Sequence, residues 1–338
     1  MSDDIVENEN RPVSPNDDVL PRAIGFTADE MVSCGRCGKA NPPNRLKCFY
    51  CAAELELPVG STVAVRLNLR TLEKWERGLN VIINRNDRRT IEPATERLCN
   101  SVGLDAALLS RILASGSALP FVRVESVRES DIVVGILAEA GIDAIVVGDS
   151  ELSSDILPVR LRSIRFLDGQ IEFTAFNGDN TFVHDTGEIE YAVLGMIVES
   201  QIEATTRKKK GEVKTLEESA TSSDQLVVDI YSSGHDPGFR IPTTGFDFSC
   251  LGNEKGLLAA DNLEKLLRLI EVRCPDASID RSYRENRSLL DLVWEPERTR
   301  HSAGFQRSGF GRKDLAHVDT TNNLEQFTRY SRMLRHLK

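Results

Sequence analysis

Apolar residues recur at several spacings along this chain, and the changes of spacing divide it into blocks. LNVII, Leu79–Ile83, is a continuous apolar run of strand length. Residues 91 to about 101 take helical spacing, with Thr90 as cap, Pro93 tolerated in the first turn and Gly103 as the stop. A second helix is predicted from 104 to about 114. Asp105 lies near its start, Ala106, Leu109, Ile112 and Leu113 fall at helical spacing, and Gly116 ends it. LPFVRV (119–124) reads as a strand. Ser130 and Asp131 open a third helix carrying Ile132, Val133, Ile136, Leu137 and Ala140, which Gly141 stops. DAIVVG (143–148) is a further strand. Residues 62–152 are therefore expected to form a β-α-α-β-α-β domain.

From residue 155 the period shortens to two. VRLRSIRF (159–166) alternates, Asp168-Gly169 is a hairpin turn, and QIEFTAF (170–176) alternates again before Asn177-Gly178 and TFVHD. Residues 192–205 fit strand or helix, and their β-branched residues favour strand. TRKKKGEVK (206–214) reads as a basic loop around Lys208, Lys209 and Lys210, and 215–224 as an acidic Ser/Thr-rich stretch. LVVDIYS (226–232) is a strand, GHDPG a turn, and FRI and FDFSCLG short strands. Residues 259–272 form an amphipathic helix with Leu263, Leu266, Leu267 and Ile270 on one face. Residues 155–275 thus predict a mainly antiparallel, barrel-like β domain closed by a helix. Its architecture resembles the bacterial pleckstrin-homology-like barrel.

The two ends lack such patterning. Residues 1–30 hold eight acids against two bases and no apolar period, and are expected to be a disordered acidic arm. Residues 276–338 are rich in Ser, Arg and Asn and are expected to be a largely disordered tail. Two islands interrupt them: LLDLVW (289–294) and a terminal helix in which Leu324, Phe327, Ser331 and Leu334 take heptad-like spacing. That helix either docks into a partner's groove or folds back on its own domain.

Composition narrows the classes. The chain has 338 residues, 40% hydrophobic but only 6% aromatic, with a formal net charge of -10. An acidic chain is poorly suited to non-specific attraction to nucleic acid or anionic membranes. No apolar run is long enough for a membrane-spanning helix, and the acidic N-terminus has no signal-peptide core. A cytoplasmic location is expected.

The strong chemical signal lies in residues 31–57, in SCGRCGKANPPNRLKCFYCAAE. Cys34, Cys37, Cys48 and Cys51 form two CxxC pairs ten residues apart. Four thiolates at this spacing close a tetrahedral structural zinc site and leave no position open for chemistry. One zinc ion is the expected cofactor, supplying on the order of 10 kcal/mol of folding energy to a module with little core. Gly38 gives the backbone freedom at the first knuckle, and KANPPN is turn chemistry. Phe49 and Tyr50 can cover one face. Arg36, Lys39, Arg45 and Lys47 make the ribbon locally basic, which permits contact with RNA or DNA. Cys99, Cys250 and Cys274 stand alone, and an odd, scattered remainder fits a reducing compartment. Cys99 and Cys250 read as buried small hydrophobes.

The stretch VIINRNDRRTIEPATERLCNSVGLDAALLSRIL, with the β-α-α-β-α-β order, resembles the ClpS adaptor family, whose fold is shared with the C-terminal domain of the ribosomal stalk protein. The family's Asn-Asp-Asp-x-Thr-Pro segment corresponds to Asn86, Asp87, Arg88 and Thr90. The resemblance implies that Asn86 and Asp87 hold the α-amino group of a peptide. In this chain Arg88 replaces the second acid, and no His matches the family's pocket His near residues 112–116. Read from the residues alone, Asn86 and Asp87 are turn and cap chemistry before Thr90.

No Gly-rich phosphate loop or HExxH is present, and no nucleophile stands in an elbow. His184 and His235 lie beside Asp185 and Asp236, which is common in loops. The expected fold is multi-domain α+β with a zinc ribbon at its head, and no catalytic residues are assigned. The expected function is that of a non-enzymatic adaptor or regulator that binds other proteins. The alternatives are a nucleic-acid-associated ribbon protein and an enzyme with an unrecognised site in the β domain.

Overall fold

A computed structural model describes residues 27, 29, 31–42, 45, 47–55, 69, 71–84, 91–152, 156–178, 180–209, 212–309 and 312–337. The expected acidic arm lies outside the described residues except for Thr27 and Asp29, as do Asn86, Asp87 and Lys210. The chain divides into two compact units, Met1–Leu67 and Asn68–Lys338. The first contains two short strands, β1 (Val32–Ser33) and β2 (Ala40–Asn41).

The larger unit begins with β3 (Leu79–Ile83), α1 (Pro93–Val102), α2 (Ala106–Ser115), β4 (Leu119–Val124), α3 (Val127–Glu139) and β5 (Ala144–Gly148). The three strands form an antiparallel sheet in the order β4-β3-β5. Val81, Ile82 and Ile83 are buried, as are Leu109, Ile112 and Leu113 of α2 and Val133 and Leu137 of α3. Asp105 caps α2 by accepting from the Leu108 N–H at 2.9 Å. The third helix starts earlier than Ser130. Ser126 and Glu129 form a reciprocal capping box at its N-terminus, and Ser130 is buried inside the first turn.

The remaining strands are β6 (Val159–Phe166), β7 (Gln170–Ala175), β8 (Thr181–Asp185), β9 (Ile189–Lys209), β10 (Glu212–Ser232), β11 (His235–Pro242), β12 (Ser278–Asp280), β13 (Glu297–Gly309) and β14 (Arg312–Asn322). They make one nine-stranded sheet in the order β13-β14-β9-β10-β11-β6-β7-β8, with β12 beside β9. Two pairings are parallel, β11 with β6 and β12 with β9. Helix α4 (Ala259–Arg273) lays Leu263, Leu266, Leu267 and Ile270 into a core with Leu161, Ile164, Phe173, Val228, Phe239 and Ile241. FDFSCLG is not a strand. Residues Phe248–Glu254 form 3₁₀ turns, started by Asp247, whose carboxylate accepts from the Ser249 N–H at 3.0 Å.

Two expectations give way here. The basic stretch 206–214 and the Ser/Thr-rich 215–224 are not simply loop: all but residues 210 and 211 are assigned to the 21-residue strands β9 and β10. The tail 276–338, expected to be largely disordered, contains β12, α5 (Tyr283–Leu290), the β13–β14 hairpin and α6 (Leu324–His336). The β13–β14 hairpin carries no sustained apolar alternation for a sequence reading to detect. The terminal helix folds back on its own unit: Phe327, Tyr330, Met333 and Leu334 are buried. It rests on β9 at Gly195, where an added Cβ would lie 2.3 Å from the Phe327 ring. Among the described residues no helix is long and apolar enough to cross a membrane.

Candidate metal centre

The first unit is two loops of the same construction. In one, Cys34 N–H donates to Lys39 O at 3.0 Å and Gly38 N–H donates to Cys34 O at 2.8 Å. In the other, Cys48 N–H donates to Ala53 O at 2.8 Å and Ala52 N–H donates to Cys48 O at 2.9 Å. β1 and β2 flank the first loop, with Val32 opposite Asn41. A bridge between Lys47 and Glu54 flanks the second. Each loop needs a left-handed residue four positions after its first cysteine. Gly38 meets that need at φ 69°, and Ala52 does so at φ 56°, the one non-glycine residue with positive φ among the described residues.

The loops bring the sulfurs of Cys34, Cys37, Cys48 and Cys51 within 4.8 Å of one another. Cys34 Sγ lies 3.6 Å from Cys51 Sγ, and Cys37 Sγ lies 3.6 Å from Cys48 Sγ. Tetrahedral ligands at about 2.3 Å from a metal stand about 3.8 Å apart, so the set is sized for one ion. Cys34 and Cys48 are buried and Cys37 is exposed. N–H groups point at the sulfurs, as thiolate ligands require: Tyr50 N–H approaches Cys48 Sγ at 3.4 Å. Desolvation pushes the Cys48 thiol up, but the Tyr50 and Cys51 N–H groups, the Cys37 thiol and the Asn41 amide bring it down to about 6. The Cys37 N–H, against desolvation, lowers Cys34. Four like charges this close repel one another, so full deprotonation requires a cation between them.

Asn41 has a role beyond turn chemistry. It is fully buried. Its Nδ2 donates to Lys39 O at 2.7 Å and to Cys48 Sγ at 3.5 Å, and its Oδ1 accepts from Phe49 N–H at 2.8 Å. One amide thus ties the first loop to the second and orients a ligand sulfur. Phe49 and Tyr50 stand largely in water, 69% and 55% exposed. Their rings meet edge to face, with centroids 5.5 Å apart and an interplanar angle of 84°. Lys39 Nζ stands 4.3 Å from the Tyr50 centroid and the Arg45 guanidinium 5.0 Å from that of Phe49.

The other candidate residues are not assembled into a reactive group. His184 Nδ1 pairs with Glu188 Oε2 at 3.2 Å, and its ring packs beside Phe173 and Phe239. His235 and Asp236 begin β11. Cys99 and Cys274 are buried, and burial raises both thiols, Cys274 to about 11. Cys250 is only partly buried, and its thiol is likewise pushed up to about 11, chiefly by desolvation. These are packing residues rather than nucleophiles.

The large unit holds a polar cluster that sequence reading missed. Asp149 accepts from Arg123 Nε at 2.8 Å, from Asn80 Nδ2 at 3.0 Å, from Gly78 N–H at 2.8 Å and from Arg329 Nη1 at 3.3 Å. Asn80 Oδ1 accepts from Trp294 Nε1 at 2.9 Å. Burial disfavours the charge on Asp149, yet Arg123, Asn80 and the Gly78 N–H hold its carboxyl below the usual carboxylate range. Beside the cluster lies a 390 Å³ cleft whose lining includes Leu72, Trp75, Arg123, Trp294 and Arg329. These residues are spread over more than 250 positions, and no local motif marks them. Comparison with protein-family models, with curated proteins and with solved structures finds no match to this chain.

Proposed function

We propose that the chain is a non-enzymatic adaptor whose zinc-stapled N-terminal unit engages a protein partner through Phe49 and Tyr50. The observation that carries this reading is that two adjacent aromatic side chains stand exposed on the knuckle between Cys48 and Cys51. A loop closed by four thiolates holds them in place, so little entropy is lost when they are buried in a partner. Exposed, preorganised aromatic residues beside an arginine, here Arg45, have the composition of an interface anchor. Zinc is the metal of choice for four thiolates in a closed tetrahedral set, and such a site is structural.

A nucleic-acid reading draws on the same surface, because Lys39 and Arg45 add positive charge. Base stacking needs open ring faces. Here each ring already has a cation over one face, and the two rings stand nearly perpendicular. That geometry favours insertion into a protein pocket over a stack of successive bases. The ClpS-like reading of 62–152 remains a proposal of architecture: the element order and the antiparallel sheet within 79–148 are consistent with it. A cytoplasmic setting is proposed with it, since free thiolates and buried unpaired cysteines persist under reducing conditions.

The test compares the full chain with a Phe49→Ala/Tyr50→Ala variant in quantitative affinity capture after nuclease treatment, with zinc content measured on both. The expected result is a partner retained by the wild type and lost by the variant at equal zinc content. Capture unchanged by the double substitution overturns the proposal. So does loss of all binding on nuclease treatment, with salt-sensitive binding to a single-stranded oligonucleotide instead.

A further inference from the structure

Beyond the fold's core, the large sheet continues as a four-stranded ribbon in the order β13-β14-β9-β10. β14 pairs with β9 from Asn322 opposite Glu199 to Asp314 opposite Arg207, and β10 pairs with β9 along the same stretch. Among the described residues β10 pairs with β11 only from Val227 onward, so its edge from Glu212 to Asp224 is open. β13, which pairs with β14, ends the strand order and leaves the other edge open. Residues 218–224 of β10 are all exposed, as are Arg298, Arg300 and His301 of β13. Open strand edges are templates for further pairing, and folds usually block them.

The two edges differ in charge. The exposed part of β13 carries Arg298 and Arg300 against Glu297, whereas residues 218–224 of β10 carry Glu218 and Asp224 and no base. Pairing β13 with a second β13 sets base against base, and pairing β10 with a second β10 sets acid against acid. Only β13 against β10 brings opposite signs together. The backbone agrees. The ribbon has an even number of antiparallel strands, so its two edges run in opposite directions. A second copy placed alongside at the ordinary strand spacing of about 4.8 Å therefore continues the antiparallel pattern.

The register supplies side-chain partners. Ser222, Ser200, Thr321 and Arg298 form one row across the ribbon, and Ala220, Ile202, Asp319 and Arg300 form the next row on the same face. Continuing these rows into a second copy sets Arg298 opposite a serine and diagonal to Asp224. Arg300, opposite an alanine, is already forked onto Asp319 of its own chain at 2.5 and 2.7 Å, so Arg298 carries the charge pairing. Diagonal neighbours at 7–8 Å are within reach of arginine. Small residues on β10 leave room for the long side chains on β13.

We propose that copies of this chain associate head to tail through the ribbon, β13 of one copy pairing antiparallel with residues 212–224 of β10 in the next. The contact is heterologous, so it does not stop at a dimer by symmetry. It does not involve the metal site or its partner.

The test is sedimentation velocity on the full chain over a range of concentrations at low and high salt. The wild type is expected to grow beyond a dimer with concentration and to do so less at high salt. Arg298→Glu alone and Asp224→Arg alone should each weaken association by about tenfold. The double variant Arg298→Glu/Asp224→Arg should recover it. Thr221→Pro and Ser222→Pro separate edge pairing from folding, because neighbouring amides point to opposite sides of a strand. One of the two should abolish association while circular dichroism stays that of the wild type. A monomer at every concentration overturns the proposal. So does association that stops at a dimer, or a double variant that remains as weak as the single ones.

Discussion

Ala52 stands at a position built for glycine. Its counterpart in the first loop is Gly38, and both take positive φ to turn a backbone N–H back to the carbonyl of the loop's first cysteine, Cys48 or Cys34. A left-handed alanine costs about 1–2 kcal/mol relative to its right-handed state, and glycine does not carry that cost. Ala52→Gly is therefore expected to stabilise the metal-bound unit by about 1 kcal/mol. A chelator-competition titration should show roughly fivefold tighter metal binding, and unchanged or weaker binding would contradict the strain argument. Gly195 presents the opposite case. Its φ is ordinary, but the space is taken by Phe327. Gly195→Val should lift α6 from β9 and cost roughly 1–3 kcal/mol or more, read as a lower midpoint in urea denaturation.

At the scale of elements, polar side chains join segments whose sequences give no hint of contact. Trp294, just after α5, bonds Asn80 on β3, while Arg329 of α6 bonds Asp149 just after β5. Gln326 of α6 donates to Trp294 O at 2.7 Å and to Asp291 at 2.8 Å, and accepts from Tyr283 OH at 2.9 Å. On the sheet, Arg240 of β11 forks onto Asp229 of β10 at 2.6 and 2.7 Å and also bonds Thr328 of α6 at 2.8 Å. Asp149→Asn should cost about 3–5 kcal/mol, because it leaves the nearly buried Arg123 without its anion, while Arg329 keeps Glu325 at 3.2 Å. The pH dependence follows from the sign of the shift. The folded-state pKa of Asp149 is depressed, so its contribution is fully present above the unfolded value near 3.9 and is lost as pH falls through the lower folded value. Urea midpoints of the wild type should drop below about pH 4. The drop should be smaller in Asp149→Asn, and an equal drop would assign the effect to other acids.

For the whole molecule, the division into Met1–Leu67 and Asn68–Lys338 predicts that any dependence on metal is confined to the first unit. Cys34→Ser/Cys48→Ser, or a strong chelator, is expected to unfold the first unit and leave the thermal transition of the second in place. One equivalent of zinc should be found in the wild type by elemental analysis and none in the double variant. Zinc retained by the variant would refute the four-cysteine assignment. A shifted main transition would show that the large unit also depends on the metal.

How much was legible in the sequence depended on the range of the interaction. The four cysteines were legible because coordination geometry imposes spacing on a short stretch. β3 was legible as a continuous apolar run buried on both faces, and α2, α3 and α4 because each buries one face, which leaves a period in the residues. Asn41 read as a turn residue, although its side chain holds Cys48, because a hydrogen bond across seven positions leaves no pattern. Apart from its terminal helix, the segment 276–338 read as largely disordered because β13 and β14 carry no sustained apolar alternation, and because Trp294 and Asn323 are tied to β3 and β9 by polar bonds. Sequence alone determined the four-cysteine cluster, the α+β composition and several elements with a buried face. Only the tertiary structure decided that the C-terminal residues join the large sheet and that Asp149 collects two arginines. It also decided that Phe49 and Tyr50 face solvent. Those outcomes rest on contacts between residues far apart in the chain, which local periodicity does not encode.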